Sequence, residues 1–199
     1  MTPIPVSLAV EGLLDEQVLR VLIAQSHKAF AVGVCYGKRG KNHLRENILR
    51  FNHAAAHVPF IILADLDDVD CAPELIRQWL PRGRHTNLIL RIAVREIESW
   101  LMADREHLAD FLGIASTKIP IHPDECADPK IEIINLARRS SKHSIREDLI
   151  PDSPSRVCKN YIGQLTWFVT TKWRATHARK HSPSLDSAIN ALAQFNPRI

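Results

Sequence analysis

The stretch Phe60-Ile61-Ile62-Leu63-Ala64-Asp65-Leu66-Asp67-Asp68-Val69-Asp70 decides how the rest of the chain is read. Its first five residues form an apolar run too short for an ordinary helix, and it reads as a strand buried on both faces. Such strands belong to parallel sheets covered by helices. The acids follow where that strand emerges at its carboxyl end, the edge at which open α/β sheets bind their ligands.

Outward from this segment the same alternation repeats. Toward the N-terminus, Val6–Val10 reads as a strand, and Leu14 to Ala24 follows helical spacing with Leu14, Val18, Val21 and Leu22 on one face. Ala29 to Tyr36 is a second strand ending at Gly37, and Leu44 to Ala56 a second helix. Toward the C-terminus, Pro73 to Leu80 is a short helix with its proline in the first turn, where no N–H is missed. Asn87 to Val94 is a fourth strand, followed by a helix carrying Ile97, Trp100, Leu101 and Leu108. This order predicts an α/β fold, a mostly parallel sheet of about four strands flanked by helices. After about residue 115 the pattern changes. Pro120, Pro123 and Pro129 punctuate a loop, and helical segments follow near 130–139, 158–180 and 184–195. The expected organisation is an α/β domain over 1–115 and a helical C-terminal region over 116–199 packed on it.

The chain has 199 residues, 45% hydrophobic and 24% charged. These proportions are ordinary for a globular protein and exclude collagen-like or disordered classes. A chain of this length buries about 70% of its unfolded surface and needs no staples. The four cysteines, Cys35, Cys71, Cys126 and Cys158, form no CxxC pair. That spacing argues against a zinc ribbon or a disulfide framework and for reduced thiols in a cytoplasmic protein. The N-terminus lacks a basic signal-peptide region, and no apolar run approaches a membrane span, so no membrane partner is expected. The net charge of +4 is unevenly placed. Residues 1–130 carry 15 Lys/Arg against 17 Asp/Glu, and residues 131–199 carry 11 against 5. A mildly acidic body with a basic C-terminal third permits nucleic-acid binding without requiring it.

If the sheet is parallel, acids converge on one edge. Strand one ends in Glu11-Gly12, strand three in Asp65-Leu66-Asp67, and strand four runs into Arg95-Glu96-Ile97-Glu98. Two carboxylates about 4 Å apart repel by roughly 4 kcal/mol at an effective dielectric near 20. Several together hold protons or require a cation. Oxygen-only clusters suit Mg²⁺ or Mn²⁺ rather than zinc. The expected metal set is Glu11, Asp65 and Asp67 with Glu96 or Glu98. Those two are two apart and share a face on a strand but not on a helix, so the spacing does not choose between them. Asp68 and Asp70 read as solvated acids or as caps of the helix at Pro73, with metal binding as the alternative. The acidic run is not an EF-hand loop, because Val69 and Asp70 stand where an oxygen ligand and a glycine are needed.

Glu11-Gly12 after one strand, with Asp65-x-Asp67 after a later one, resembles the Toprim domain of topoisomerases, bacterial primases and small nucleases. Asp15, four residues after Glu11, stands where the related overcoming-lysogenization-defect (OLD) nucleases often carry another acid. The likeness to bacterial Toprim-like proteins near the OLD group continues through Gly37 to Lys41, Arg95 to Asp104, and Tyr161, Phe168, Trp173 and Ser182 to Leu185. The resemblance implies a Toprim-like fold and a Mg²⁺- or Mn²⁺-dependent nuclease or phosphodiesterase acting on DNA or RNA, in the setting of phage defence. It also implies roles. Asp65 and Asp67 are expected as ligands, Glu11 as ligand or general base, and Gly12 and Asp15 as supports. OLD nucleases carry an ATPase domain, and this chain has no GxxxxGK followed by Ser or Thr. Any ATPase is therefore expected as a separate partner.

The turn Tyr36-Gly37-Lys38-Arg39-Gly40-Lys41 follows strand two on the same edge. Lys38, Arg39 and Lys41 are the expected substrate-phosphate contacts, with the alternative that the turn is simply basic. Two further basic groups, Arg138, Arg139, Lys142 and Arg146, and Lys172, Arg174, Arg179 and Lys180, read either as nucleic-acid contacts or as solvated helix surface. Trp167 and Trp173 are six apart and do not share a helix face, which favours packing over base stacking. Two rival readings remain. One is a haloacid-dehalogenase-like phosphatase with Asp65 as nucleophile, although that family opens with this strand and here two β-α units precede it. The other is a non-catalytic protein that keeps the fold and binds nucleic acid or a partner.

Overall fold

The computed structural model describes residues 2–152 and 158–198. Strands and helices alternate along the first half: β1 (Ile4–Val10), α1 (Leu13–Ala24), β2 (Phe30–Gly37), α2 (Lys41–Ala54), β3 (Phe60–Asp65), α3 (Ala72–Trp79) and β4 (Leu88–Ala93). The four strands form one all-parallel sheet in the order β2-β1-β3-β4. The expected α/β fold is therefore what the chain adopts.

Strand β3 lies between β1 and β4, and this is why its apolar run is continuous. Side chains alternate across a pleated strand. Ile61 and Leu63 enter the core beneath α1, while Phe60, Ile62 and Ala64 enter the core beneath α2 and α3. Each large side chain so buried contributes about 1.5–3 kcal/mol. Strand β1 pairs with β2 from Ile4 but with β3 only from Ser7. Pro5, which has no N–H to donate, thus lies where β1 has a single neighbour.

The second half is helical: α4 (Ile97–Ala103), α5 (Arg105–Leu112), α6 (Pro129–Arg138), α7 (His143–Leu149), α8 (Tyr161–Thr171), α9 (Ala175–Ala178) and α10 (Pro183–Gln194). The proline loop carries two single 3₁₀ turns, Ser116–Lys118 and Pro123–Glu125. Helix α8 packs on α1, and α10 packs on β4. Trp100 Nε1 donates to Ser184 Oγ at 2.7 Å, and Asn87 exchanges two 2.8 Å hydrogen bonds with the backbone of Arg198. One apolar core runs from the sheet through all these helices.

The structure departs from the sequence reading in three places. The helix expected through Ile97 and Leu108 is two helices, broken at Asp104. The segment 158–180 is also two, because Trp173 leaves the helix to enter the core, where its Nε1 donates to the Trp100 carbonyl at 3.0 Å. Helix α7 was not anticipated. It buries only Ile145 and Leu149, one turn apart, too few positions to show a period. Neither Asp68 nor Asp70 caps α3; its N-cap is Cys71, without a side-chain bond, and both acids are exposed. All four cysteines are free thiols. Among the described residues, no helix is long and apolar enough to cross a membrane.

Candidate functional site

Register places the acids. Val10 lies beside Gly37 on one side and Leu63 on the other, and Asp65 lies beside Ala93. The segments that follow therefore leave the sheet at one edge. The Lys38 amide donates to the Val10 carbonyl at 3.0 Å, and the Gly40 amide to the Glu11 carbonyl at 2.9 Å, so the basic turn closes against the end of β1. Gly37 permits this. Its φ is 91°, and a Cβ there would stand 2.1 Å from the Val10 carbonyl oxygen.

Glu11 reaches across to β3, where its Oε1 accepts the Asp65 amide at 2.9 Å. Asp15, in the first turn of α1, faces the same place and is 5% exposed. Gly12 leaves it room, since a Cβ at Gly12 would meet Asp15 Oδ2 at 2.9 Å. Asp15 Oδ1 and Asp65 Oδ1 are both sealed from water and accept no hydrogen bond among the described residues. Two unpaired carboxylate oxygens facing one cluster are a costly arrangement unless a proton or a cation meets them.

The electrostatics agree. Burial pushes Glu11 up to about 7, against the stabilising Asp65 amide and with repulsion from Asp15 and Asp67. Burial pushes Asp15 up to about 6, aided by Asp67. Asp65 is held well above the usual carboxylate range, first by burial and then by repulsion from Asp15, Glu11, Glu98 and Asp67. Glu98, 6% exposed on α4, is raised by burial and by Glu96 to about 7, although the Tyr161 hydroxyl donates to its Oε1 at 3.1 Å. Glu96 is bonded instead to the start of α6, where its Oε2 accepts the Lys130 amide at 2.9 Å, and its pKa is raised by burial against that bond. Of the two acids that spacing left open, Glu98 is the one that repels Asp65.

Asp67 stands apart. It holds a left-handed backbone with φ 50°, and its Oδ2 accepts from Lys41 Nζ at 2.7 Å. Lys41 also donates to the carbonyls of Asp65 and Leu66, at 2.9 and 3.1 Å. Arg95 NH1 donates to the carbonyls of Asp67 and Val69, at 2.8 and 2.9 Å. Two cations thus shape the acidic loop from beneath. Lys38 pairs with Glu16 at 3.1 Å. Of the three cations expected to meet phosphate, two are engaged by the protein's own acids, and Arg39 is exposed without a partner among the described residues.

The other basic groups are partly structural. Lys142 Nζ donates to the carbonyls of Asp110 and Phe111 at the end of α5, and Arg179 Nε to Asp186 at 2.6 Å. Trp173 is core, whereas Trp167 is 49% exposed and stacks on Phe111. The strand-end acids are gathered but not drawn tight. Among the described residues, the group of three His, Cys, Asp or Glu side chains whose possible ligand atoms all lie within 4.8 Å of one another is Asp104, His107 and His177, which lie elsewhere. Sequence reasoning placed Asp15 only as a support. Its position one turn into a helix, four residues after Glu11, was the signal that it shares the site. Comparison with protein-family models, curated proteins and solved structures gives no match.

Proposed function

We propose that the chain is a Mg²⁺- or Mn²⁺-dependent nuclease or related phosphodiesterase acting on DNA or RNA. The observation that carries this reading is the meeting of Glu11, Asp15 and Asp65 at the carboxyl ends of parallel strands, with buried carboxylate oxygens left unpaired. Those orphaned oxygens fit a hard divalent cation, which prefers oxygen donors. Asp65 and Asp15 would hold it, with Glu11, and with Asp67 once Lys41 is displaced. Bound there, such a cation polarises a phosphoryl oxygen and lowers the pKa of a coordinated water.

The chain's own groups divide the remaining work. Where it does not ligate the cation, Glu11, held against the Asp65 amide, is the carboxylate placed to act as general base. Arg95 and Lys41 hold the acidic loop by its carbonyls. Arg39 is the side chain of the basic turn open to a phosphate.

The Lys41–Asp67 pair favours a second reading, a non-catalytic nucleic-acid- or partner-binding protein in which an ammonium stands in for a cation. The two part in one assay, cleavage of supercoiled plasmid and single-stranded oligonucleotides with Mg²⁺ or Mn²⁺, beside Asp65→Ala and an EDTA control. Cleavage is expected from the wild type alone, falling at least about 100-fold in Asp65→Ala. Equal inactivity of both proteins with metal present sinks the catalytic reading in favour of the binding one.

A further inference from the structure

Away from the strand ends, the break between α4 and α5 builds a second cluster. Asp104 ends α4 with φ −87° and ψ 65°, and its carboxylate is almost wholly buried, at 1% exposure. Its Oδ2 accepts the Arg174 amide at 2.7 Å, and its Oδ1 lies 2.8 Å from Nδ1 of His107 on α5. Without a cation this contact is a hydrogen bond from Nδ1–H to the carboxylate, and a cation held by both atoms would take the place of that proton. His177, on α9, brings a second imidazole to the same spot, with ring centroids 5.3 Å apart. One ligand atom from each of Asp104, His107 and His177 lies within 4.8 Å of the others.

We propose that Asp104, His107 and His177 form a binding site for a divalent transition-metal cation of the Zn²⁺ type. Two imidazoles and a carboxylate are the donors such ions take, whereas Mg²⁺ prefers oxygen alone. Asp104 brings the negative charge that offsets the cation, and the Arg174 amide bonded to its Oδ2 holds that carboxylate in place. A purely structural role for Asp104, tying α5 to the turn before α9, accounts for its two bonds but not for His177. That ring makes no hydrogen bond among the described residues, yet it stands over His107. Asp104 and His177 border an open cleft of about 220 Å³ lined also by Glu106, Ser116, Lys180 and His181. With Asp104 and His177 on this cleft, three protein donors leave a coordination position open to water or a small anion.

This site is independent of the strand-end acids, and its test separates the two. The full chain is stripped with a chelator and titrated with Zn²⁺ by calorimetry, and with Co²⁺ by absorption to identify the donors. The wild type is expected to bind one Zn²⁺ tightly, with a Co²⁺ spectrum free of thiolate charge transfer. His177→Ala and His107→Ala should each weaken Zn²⁺ at least about tenfold. His177 is exposed and unbonded by its side chain, so its loss should leave the fold intact, as circular dichroism would show. Asp65→Ala should bind Zn²⁺ like the wild type. Unchanged affinity and stoichiometry in folded His177→Ala, or a thiolate spectrum with Co²⁺, overturns the proposal.

Discussion

Glu11 illustrates what the site costs the fold. Its carboxyl rises from 4.5 to about 7 on folding, chiefly because it is buried. A raised acid pKa means that the folded state holds the proton more tightly. Its contribution is therefore fully present below pH 4.5 and is lost as pH climbs through about 7. The shift corresponds to something on the order of 3 kcal/mol. Asp15 moves in the same direction, toward about 6. In EDTA, urea-unfolding midpoints should thus fall between pH 5 and pH 8, and Glu11→Gln should remove part of the fall. A glutamine keeps the oxygen that accepts the Asp65 amide and discards the charge. The variant should match the wild type at pH 5 and exceed it by about 1–3 kcal/mol at pH 8, while losing the stabilisation that Mg²⁺ gives the wild type. Equal midpoints at pH 8 would mean that the site is better solvated than its geometry indicates.

At the scale of elements, the connection from β2 to α2 closes the site, and two glycines make it in different ways. Gly37 has φ 91° and no room, whereas Gly40 has φ 83° and nothing within 4 Å of a Cβ. Gly37→Ala should therefore cost at least about 2 kcal/mol, and Gly40→Ala about 1 kcal/mol from its backbone conformation alone. Thermal melts of the two variants check the order; a Gly40 variant as damaged as the Gly37 one would contradict it. Much of this architecture was legible. The run Phe60–Ala64 announces a central strand, and Glu11 and Asp65 stand at strand ends that a parallel sheet must bring together. What stayed hidden depends on distant partners. Nothing local says that Lys41 pairs with Asp67 across 26 residues, or that Glu98 rather than Glu96 faces Asp65. The break at Asp104 is equally silent, because the Arg174 amide that its carboxylate accepts lies 70 residues away.

Across the whole molecule, the change of pattern near residue 115 does not mark a division of the core. Trp100, Leu101 and Met102 on α4 are fully buried, and so, within a few per cent, is Phe111 on α5. Helix α4 packs against α6 and α9, Phe111 stacks on Phe168, and Trp173 donates to the Trp100 carbonyl. Tyr161 on α8 donates to Glu98, which stands beside the acid cluster. Removing everything after residue 115 would strip cover from four large side chains. At about 1.5–3 kcal/mol each, that is roughly 6–12 kcal/mol, comparable with the whole stability of an ordinary domain, about 5–15 kcal/mol. Residues 1–115 alone are therefore expected to lack a cooperative transition. The full chain should unfold in urea in one step, with far-ultraviolet dichroism and tryptophan fluorescence coincident. A soluble 1–115 fragment with a sharp transition would show that the strand-end site rests on the sheet alone. Its absence would mean that the C-terminal helices, through Tyr161 and Glu98, are part of what holds the acids in place.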